Sequence, residues 1–332
     1  MKKFLFILFW VTGFLVSGQN IQTKDSLFRA WNNSELNDTL RLGALHQYIW
    51  DYYLFTKPDS AFYFASLKYN YAMAAGLKKF AANAANIQGV SYAIRGKDNE
   101  ARNYYLLSLE LNREIGNQDG VMFACGNLGN ISRNKGYFDE AMMYFNESVA
   151  IAEELKDTST LASVYNNIGL VYIAVGELGK AQNYLNRSIL MHNKETDLRS
   201  YSNVLGNMAT IYMYYGDYSK ALSLLEESAA INQNIANTKS MAVVCSNISG
   251  VYSYLRNPEF AVRYARESIS YSKLAKDFKT LALGLGSLAT LYQQMGLLDS
   301  VKMLQYEALS IHTDLKNREG MALSYQSLGS YY

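Results

Sequence analysis

Apolar residues recur at three- and four-residue spacing along most of the chain, which is the period of an α-helix with one buried face. The segment 159–198 shows this pattern twice. Its first stripe contains Leu161, Tyr165, Ile168, Gly169 and Tyr172, and its second contains Leu178, Ala181, Leu185, Ile189 and Leu190. Gly176 separates the two stripes, and glycine is typical of a helix end. The segment therefore predicts two helices joined by a tight turn.

The same pattern returns at 40-residue steps, without insertion or deletion, from about residue 40 onward. An alanine column in the second helix reads Ala61, Ala101, Ala141, Ala181, Ala221, Ala261 and then Val301. A tyrosine column in the first helix reads Tyr52, Tyr92, Tyr172, Tyr212, Tyr252, Tyr292 and Tyr332, with Ser132 as the exception. A helix pair cannot bury its apolar stripe alone, so such a repeat predicts a stack of helix pairs.

Turn residues support this register. Gly96, Gly136, Gly176, Gly216 and Gly296 form one turn column, and Asn117, Asp157, Asp197, Asn237, Asp277 and Asn317 form another. Asn and Asp tolerate left-handed backbone, so we expect the second column to adopt it. The two prolines, Pro58 and Pro258, lie five repeats apart and are expected in the first turn of a helix, where the missing N–H costs little.

We divide the chain into four parts: a signal peptide (1–18), a helical lead-in (19–39), seven 40-residue repeats (40–318) and the first helix of an incomplete eighth repeat (319–332). Residues 1–18 contain Lys2, Lys3, an apolar run and Gly18 at the expected cleavage point. This layout is typical of a secretory signal peptide, although an uncleaved anchor is the alternative. We expect export, to the periplasm or the cell exterior.

The repeat resembles the tetratricopeptide repeat (TPR) family. The motif Ile168-Gly169-x-x-Tyr172, followed by Gly176, Ala181 and Leu185, carries the resemblance, and Leu128-Gly129 and Ala141-x-x-x-Phe145 repeat parts of it. The chain departs from the short family form, which has roughly 34 residues per repeat and a proline near its end. The resemblance implies an all-α solenoid, a right-handed superhelix of antiparallel helix pairs. With its leader, the chain is similar to the exported input regions of bacterial TPR sensor histidine kinases, nucleotide cyclases and helix-turn-helix regulators.

The composition of the chain argues against several classes of function. Removing residues 1–18 removes two lysines and no acid, so the formal net charge falls from +2 to 0. A neutral chain without a basic run lacks the electrostatic footprint of a nucleic-acid binder. We expect no cofactor, no metal site and no catalytic constellation. Cys125 and Cys245 are expected to be buried apolar residues too far apart for a disulfide, and His192 and His312 are expected at the surface.

The first helices of TPR solenoids line a concave groove, and the resemblance places a set of polar side chains there. The candidate site residues are Asn127, Asn130, Arg133, Asn167, Asn207, Tyr214, Asn247 and Tyr254. The asparagine column (Asn127, Asn167, Asn207 and Asn247) recurs once per repeat. Its amides offer donors and acceptors that suit the backbone of an extended peptide. The alternative is that they bond neighbouring helices and set the repeat spacing.

The expected function is binding of a protein or peptide ligand, as the sensory input region of a signalling protein and without catalysis. One alternative is that the chain is a piece of a sensor kinase or cyclase whose catalytic domain is missing. Another is a structural adaptor that self-associates through an open C-terminal face ending in Tyr331-Tyr332.

Overall fold

The computed structural model describes residues 23–192 and 197–329. The predicted signal peptide, the candidate cleavage point and Tyr331-Tyr332 lie outside these ranges. The described residues form sixteen α-helices and no strand, which confirms the all-α solenoid fold. No helix within the described ranges is long and apolar enough to cross a membrane.

A short helix, α1 (Lys24–Asn32), packs against the first of seven helix pairs. The first helices of the pairs are α2 (Asp38–Tyr52), α4 (Lys78–Ile94), α6 (Gln118–Asn134), α8 (Thr158–Ala174), α10 (Leu198–Tyr214), α12 (Thr238–Tyr254) and α14 (Phe278–Gln294). The second helices are α3 (Pro58–Ala74), α5 (Asp98–Glu114), α7 (Phe138–Leu155), α9 (Leu178–Met191), α11 (Tyr218–Asn234), α13 (Pro258–Ala275) and α15 (Leu298–Asp314). A further first helix, α16 (Arg318–Gly329), follows them.

A helix therefore begins at every half-repeat from Asp38 to Arg318. Pro58 and Pro258 each occupy the first position of a helix, as the sequence predicts. That position has no intrahelical partner for a backbone N–H, so proline is tolerated there.

The predicted left-handed backbone at the Asn/Asp column is wrong. Asp157 has φ −82° and accepts a hydrogen bond from the backbone N–H of Thr160, so it caps the N-terminus of α8. The left-handed residue is the one before it, Lys156, with φ 57°. Positive φ recurs at this position in successive turns. It is adopted by Gly76, Gly96, Gly116, Gly136, Gly176, Gly216 and Gly296 and also by Lys156, Ala236, Arg256, Lys276 and Lys316.

Ala236→Gly is expected to raise the free energy of unfolding by about 1 kcal/mol, because a side chain in left-handed backbone costs about that much. Ala236 has φ 51°, where seven other turns of this chain use glycine. Urea denaturation followed by circular dichroism measures the change. Ala230→Gly, at an exposed position inside α11, is the control and should destabilise by about 1 kcal/mol. If both variants changed the free energy of unfolding in the same direction, the explanation from left-handed backbone would be contradicted.

Close packing within a pair uses the small residues that the motif supplies. A Cβ atom on Gly169 would lie 2.8 Å from Cγ of Leu185 and 3.4 Å from the backbone oxygen of Ala181. Glycine therefore lets α8 and α9 approach each other closely at this position.

A serine column in the second helices, which the sequence analysis missed, fixes each pair further. It consists of Ser108, Ser148, Ser188, Ser228 and Ser268. Each side chain is buried and donates to a backbone oxygen of the first helix of its pair, at 2.7 to 3.1 Å. The column shows that the stack is held by repeated hydrogen bonds as well as by apolar contacts.

The expected surface positions of His192 and His312 are wrong. They are 7% and 6% exposed, respectively, in a column that also buries Asn112 and Asn232. His192 Nδ1 lies 3.0 Å from Asp197 Oδ2. A second helix ends here against the start of the next first helix, so the polar side chains bond the turn instead of facing water.

Cys125 and Cys245 are buried and free, as expected. Burial, with a smaller effect of the neighbouring carboxylates Glu147 and Glu267, raises the pKa of each thiol to about 12. Both residues therefore act as small apolar side chains and not as nucleophiles.

Candidate functional site: the concave face

The first helices define the inner surface of the stack. From α4 to α14, each first helix contacts the first helix of the next pair as well as its own second helix. The side chains that face away from the second helices therefore form a continuous surface, which we call the concave face. It consists of the positions six, three and two residues before the glycine of the Gly-x-x-Tyr motif and one, four and five residues after it. All eight candidate residues occupy these positions. Arg133 is the one ionised side chain at these offsets in α4–α14.

Half of the asparagine column bridges successive first helices. Asn127 Nδ2 donates to Asn86 Oδ1 at 2.8 Å, and Asn207 Nδ2 donates to Asn166 Oδ1 at 2.7 Å. Each bond joins two helices one repeat apart, so these amides set the repeat spacing. For Asn127 and Asn207, the geometry favours the structural alternative.

Asn167 has a different partner, because Gly126 stands where the bridging asparagine would be. Its Oδ1 accepts a hydrogen bond from Arg133 at 2.9 Å, and Arg133 also donates to Asn134 Oδ1 at 3.2 Å. Burial lowers the pKa of the Arg133 guanidinium. No described carboxylate forms an ion pair with it, so amide oxygens hold a largely desolvated cation on the concave face.

Asn130, on the same helix, has an unsatisfied side chain. Its Oδ1 is buried and accepts no hydrogen bond from the described residues. A buried acceptor without a donor costs about 1–3 kcal/mol, so this oxygen would gain from a ligand N–H or a water molecule.

Asn247 differs from the rest of the column because its amide forms no hydrogen bond with the described part of the chain. Gly206 stands opposite, and a Cβ atom there would meet no atom within 4 Å. Two tyrosines, Tyr214 and Tyr254, lie about two turns further along the same two helices and are each 65% exposed. Tyr254 stacks on Tyr218 with ring centroids 5.6 Å apart, so its orientation is fixed. The opening at Asn247 therefore combines a free amide with exposed aromatic surface.

The structure thus places the eight candidates on one face and separates them into bonded and unbonded groups. Their role in ligand binding stays a prediction. The signal that separates the groups is visible in the sequence three residues before the motif glycine, where Asn86, Gly126, Asn166 and Gly206 alternate. The sequence analysis missed that alternation.

Among the described residues, no group of three His, Cys, Asp or Glu side chains lies close enough to hold a metal ion.

The last described helix exposes positions that are buried in earlier repeats. Tyr325 of α16 is 62% exposed, whereas the equivalent residues Leu205, Cys245 and Leu285 are at most 2% exposed. Self-association through this face stays a prediction.

Comparison with known proteins agrees with the repeat. The family model for the tetratricopeptide repeat matches residues 123–194. A model for anaphase-promoting complex subunit 5 matches residues 169–253. No characterised protein matches the chain significantly by sequence.

Similar solved structures have low sequence identity, so they inform the fold alone. A Rap protein complexed with competence and sporulation factor has a TM-score of 0.66 and 14% identity, covering 93% of this chain and 90% of that one. The Cut9–Hcn1 hetero-tetramer of the anaphase-promoting complex has a TM-score of 0.61 and 15% identity, covering 92% and 52%. The STAND protein PH0952 from Pyrococcus horikoshii, with a tetratricopeptide repeat sensor, has a TM-score of 0.57 and 14% identity, and the match covers 94% of this chain and 50% of that one. The chain spans about half the length of the last two.

The 40-residue register, the stacked helix pairs and the matched family model lead to one assignment. Residues 123–194 match the tetratricopeptide repeat family, and the described helices have the fold of that family's solenoids.

Proposed function

We propose that the protein is a non-catalytic binding module that holds an extended peptide segment on its concave face, centred on Asn247. The observation that carries the proposal is the free amide of Asn247 opposite the open space at Gly206. A carboxamide offers both donors and an acceptor, so it can pair with both polar groups of a peptide backbone. The solved Rap complex, which has the same fold and contains competence and sporulation factor, supports a peptide as the ligand.

The surroundings indicate an uncharged binding segment. Tyr214 and Tyr254 provide exposed rings for apolar side chains, and the candidate positions of α10 and α12 carry no ionised group. Affinity at this opening would therefore come from backbone pairing and ring contacts, so it should depend little on salt.

Two substitutions test this opening from opposite directions. A phage-displayed random heptapeptide library is panned on the protein, and a selected peptide is then measured by fluorescence anisotropy. Asn247→Ala removes the amide and should weaken binding at least tenfold. Gly206→Asn supplies the partner that Asn166 provides for Asn207, so it should engage Asn247 internally and weaken binding similarly while keeping or raising stability.

Asn207→Ala is the matched control, because it removes an amide that is already bonded to Asn166. It should lower the free energy of unfolding by about 1 kcal/mol and leave peptide affinity within twofold. The proposal is wrong if panning yields no binder, or if the selected peptides bind Asn247→Ala and Gly206→Asn as tightly as the wild type.

We further propose that the protein is exported and acts as the sensory input region of a signalling protein. The layout of residues 1–18 supports export, and PH0952 provides a solved example of a tetratricopeptide repeat serving as a sensor. Expression in a Gram-negative host, followed by N-terminal sequencing of the periplasmic fraction, should yield Gln19 as the first residue. Retention of Met1 on a membrane-bound product would contradict the cleaved leader.

A further inference from the structure

A cavity of about 460 Å³ opens on the concave face between α14 and α16, with α15 as its floor. Its walls use the same offsets as the asparagine column, where Ser287 and Ser327 continue the series. Its lining includes Leu283, Gln305, Ala308, His312, Leu323 and Ser324. The bridging amides of earlier repeats are absent here, because Gly286 and Ser327 replace the pair of asparagines.

Two deeply buried polar side chains face this cavity from positions that are apolar elsewhere. Gln305 is 4% exposed, and its column otherwise reads Ala65, Tyr105, Phe145, Leu185, Leu225 and Ala265. Ser324 is 3% exposed, and its column otherwise reads Ala84, Ala124, Val164, Val204, Val244 and Gly284. Neither side chain forms a hydrogen bond with another residue in the described ranges. The polar atoms of both side chains therefore remain open to the cavity, where a ligand or water can supply the missing hydrogen bonds.

The floor of the cavity contributes space at Ala308 and a hydrogen-bond donor at His312. Ala308 replaces the serine that occupies this position in the preceding repeats, so the side chain leaves space above the backbone of Ala282. His312 Nδ1 accepts a hydrogen bond from Asn317 Nδ2 at 3.2 Å, which leaves the imidazole proton on Nε2. Burial lowers the pKa of His312, so the ring stays neutral at neutral pH.

The chemistry of the lining excludes several ligand classes. No charged side chain lines the cavity, so carboxylate, phosphate and ammonium groups would lose hydration without gaining a counter-charge. No phenyl, phenol or indole ring lines it either, so the flat apolar face of a sugar would find no stacking surface. The polar groups that line the cavity are amides and hydroxyls, which offer both donors and acceptors. They therefore match the hydrogen-bonding groups of an uncharged carboxamide.

We propose that this cavity is a specificity pocket for the carboxamide side chain, Asn or Gln, of a peptide lying on the concave face. The inference rests on the proposed function, because the pocket opens onto the same surface as Asn247. The Gln305 amide provides a donor and an acceptor for the ligand carboxamide, and the Ser324 hydroxyl lines the same cavity. The pocket therefore selects one side chain, whereas the opening at Asn247 pairs with backbone.

The test uses capped tripeptides, acetyl-Gly-X-Gly-amide, with Gln, Asn, Leu, Glu or Lys at X. Binding is followed by NMR of ¹³C-labelled alanine and leucine methyl groups, since Ala282, Ala308, Leu283 and Leu323 line the cavity. The Gln or Asn peptide should shift these signals with a dissociation constant at least tenfold lower than that of the Leu, Glu and Lys peptides.

Two variants restore the residues that earlier repeats carry. Gln305→Leu and Ser324→Val should each weaken binding of the Gln peptide at least tenfold while raising the unfolding temperature, so lost binding cannot be ascribed to unfolding. Gln294→Leu, an exposed change on α14 outside the cavity, should leave binding unchanged. Equal binding of the Leu peptide, unchanged binding by Gln305→Leu, or no methyl shift would overturn the proposal, the last result indicating a cavity that holds only water.

The experiments distinguish a failure of peptide binding at Asn247 from a failure of the carboxamide pocket. The tripeptide series is repeated with Asn247→Ala, which should leave it unaffected because the residue lies outside the cavity. Heptapeptides that depend on Asn247 together with unresponsive tripeptides would retain the groove and reject the pocket. The reverse pattern would reject Asn247 as the centre of binding and retain the pocket.

Discussion

Replacement of Lys68 by methionine should raise the free energy of unfolding at pH 6 by about 3 kcal/mol. Lys68 of α3 is fully buried at the position where the next five repeats carry the serine column. Its Nζ lies 3.2 Å from His46 Nδ1 and 5.7 Å from the centroid of the Phe80 ring. Neither group is a counter-charge, so the ammonium loses hydration with little electrostatic compensation. Methionine keeps the length and apolar character of the side chain without the charge.

The gain should depend on pH. Burial lowers the pKa of Lys68 from 10.5 to about 7. Between these values the unfolded chain holds a proton that the folded chain does not, so wild-type stability rises with pH across this range. Methionine binds no proton, so the advantage of the variant is full below pH 7 and disappears toward pH 10.5.

Urea denaturation at one-unit steps from pH 6 to pH 10 measures this difference, and histidine NMR provides a second measurement. Burial, and secondarily the charge of Lys68, lowers the pKa of His46 to about 4. That pKa should rise in the variant because the second cause is gone. Lys79→Met, at an exposed position of α4, is the control and should change stability little. A gain in Lys68→Met that stays constant from pH 6 to pH 10 would contradict the buried-charge explanation.

Gly120→Thr should destabilise the protein by about 3 kcal/mol, because it places a side chain where Asn112 already lies. A Cβ atom on Gly120 would overlap Asn112 Oδ1, which accepts a hydrogen bond from Asn117 Nδ2 at 2.6 Å. Asn112 is 1% exposed and cannot move into solvent. Two repeats tolerate threonine at this position, Thr160 and Thr280, where the opposing residues are the smaller Ala152 and Ser272.

A second substitution, at Asn112, should therefore restore much of the stability that Gly120→Thr removes. Asn112→Ala combined with Gly120→Thr recreates the pairing of Ala152 with Thr160, so the double variant should be more stable than the sum of single effects by about 2 kcal/mol. A double-mutant cycle from urea denaturation measures this coupling. Gly43→Thr, at a helical glycine with no atom within 4 Å of its Cβ position, controls for the threonine itself. Additive effects would show that Asn112 and Gly120 do not compete for the same space.

These cases mark how far the sequence predicts the structure. The period of the alanine and tyrosine columns is enough for the fold, because each column reports burial at one place in every pair. Local backbone was misassigned by one residue, since the Asn/Asp column signals both a left-handed turn and a helix cap. The structure decides in favour of the cap through the bond from Thr160 to Asp157.

Buried polar groups were the hardest features to predict. Serine, histidine and lysine suggest exposure by type, yet Ser148, His312 and Lys68 are all buried. Their burial depends on partners in another helix, such as the backbone oxygen of Met122 for Ser148. For the candidate site, the column indicates which positions share one face but not which amide is free, because Asn247 differs from Asn207 only through residues of the preceding repeat.

The alternation of bridged and unbridged amides has a consequence for ligand length. The amide–amide bridges at Asn127 and Asn207 lie two repeats apart, and so do Asn167 and Asn247, which have no asparagine partner on the preceding first helix. The surface chemistry of the inner wall thus has twice the period of the core. Adjacent helices pack ~8–10 Å apart, so two steps of the inner wall span about 16–20 Å. An extended chain rises about 3.3 Å per residue. A peptide that reaches from Asn167 to Asn247 would therefore need about six residues.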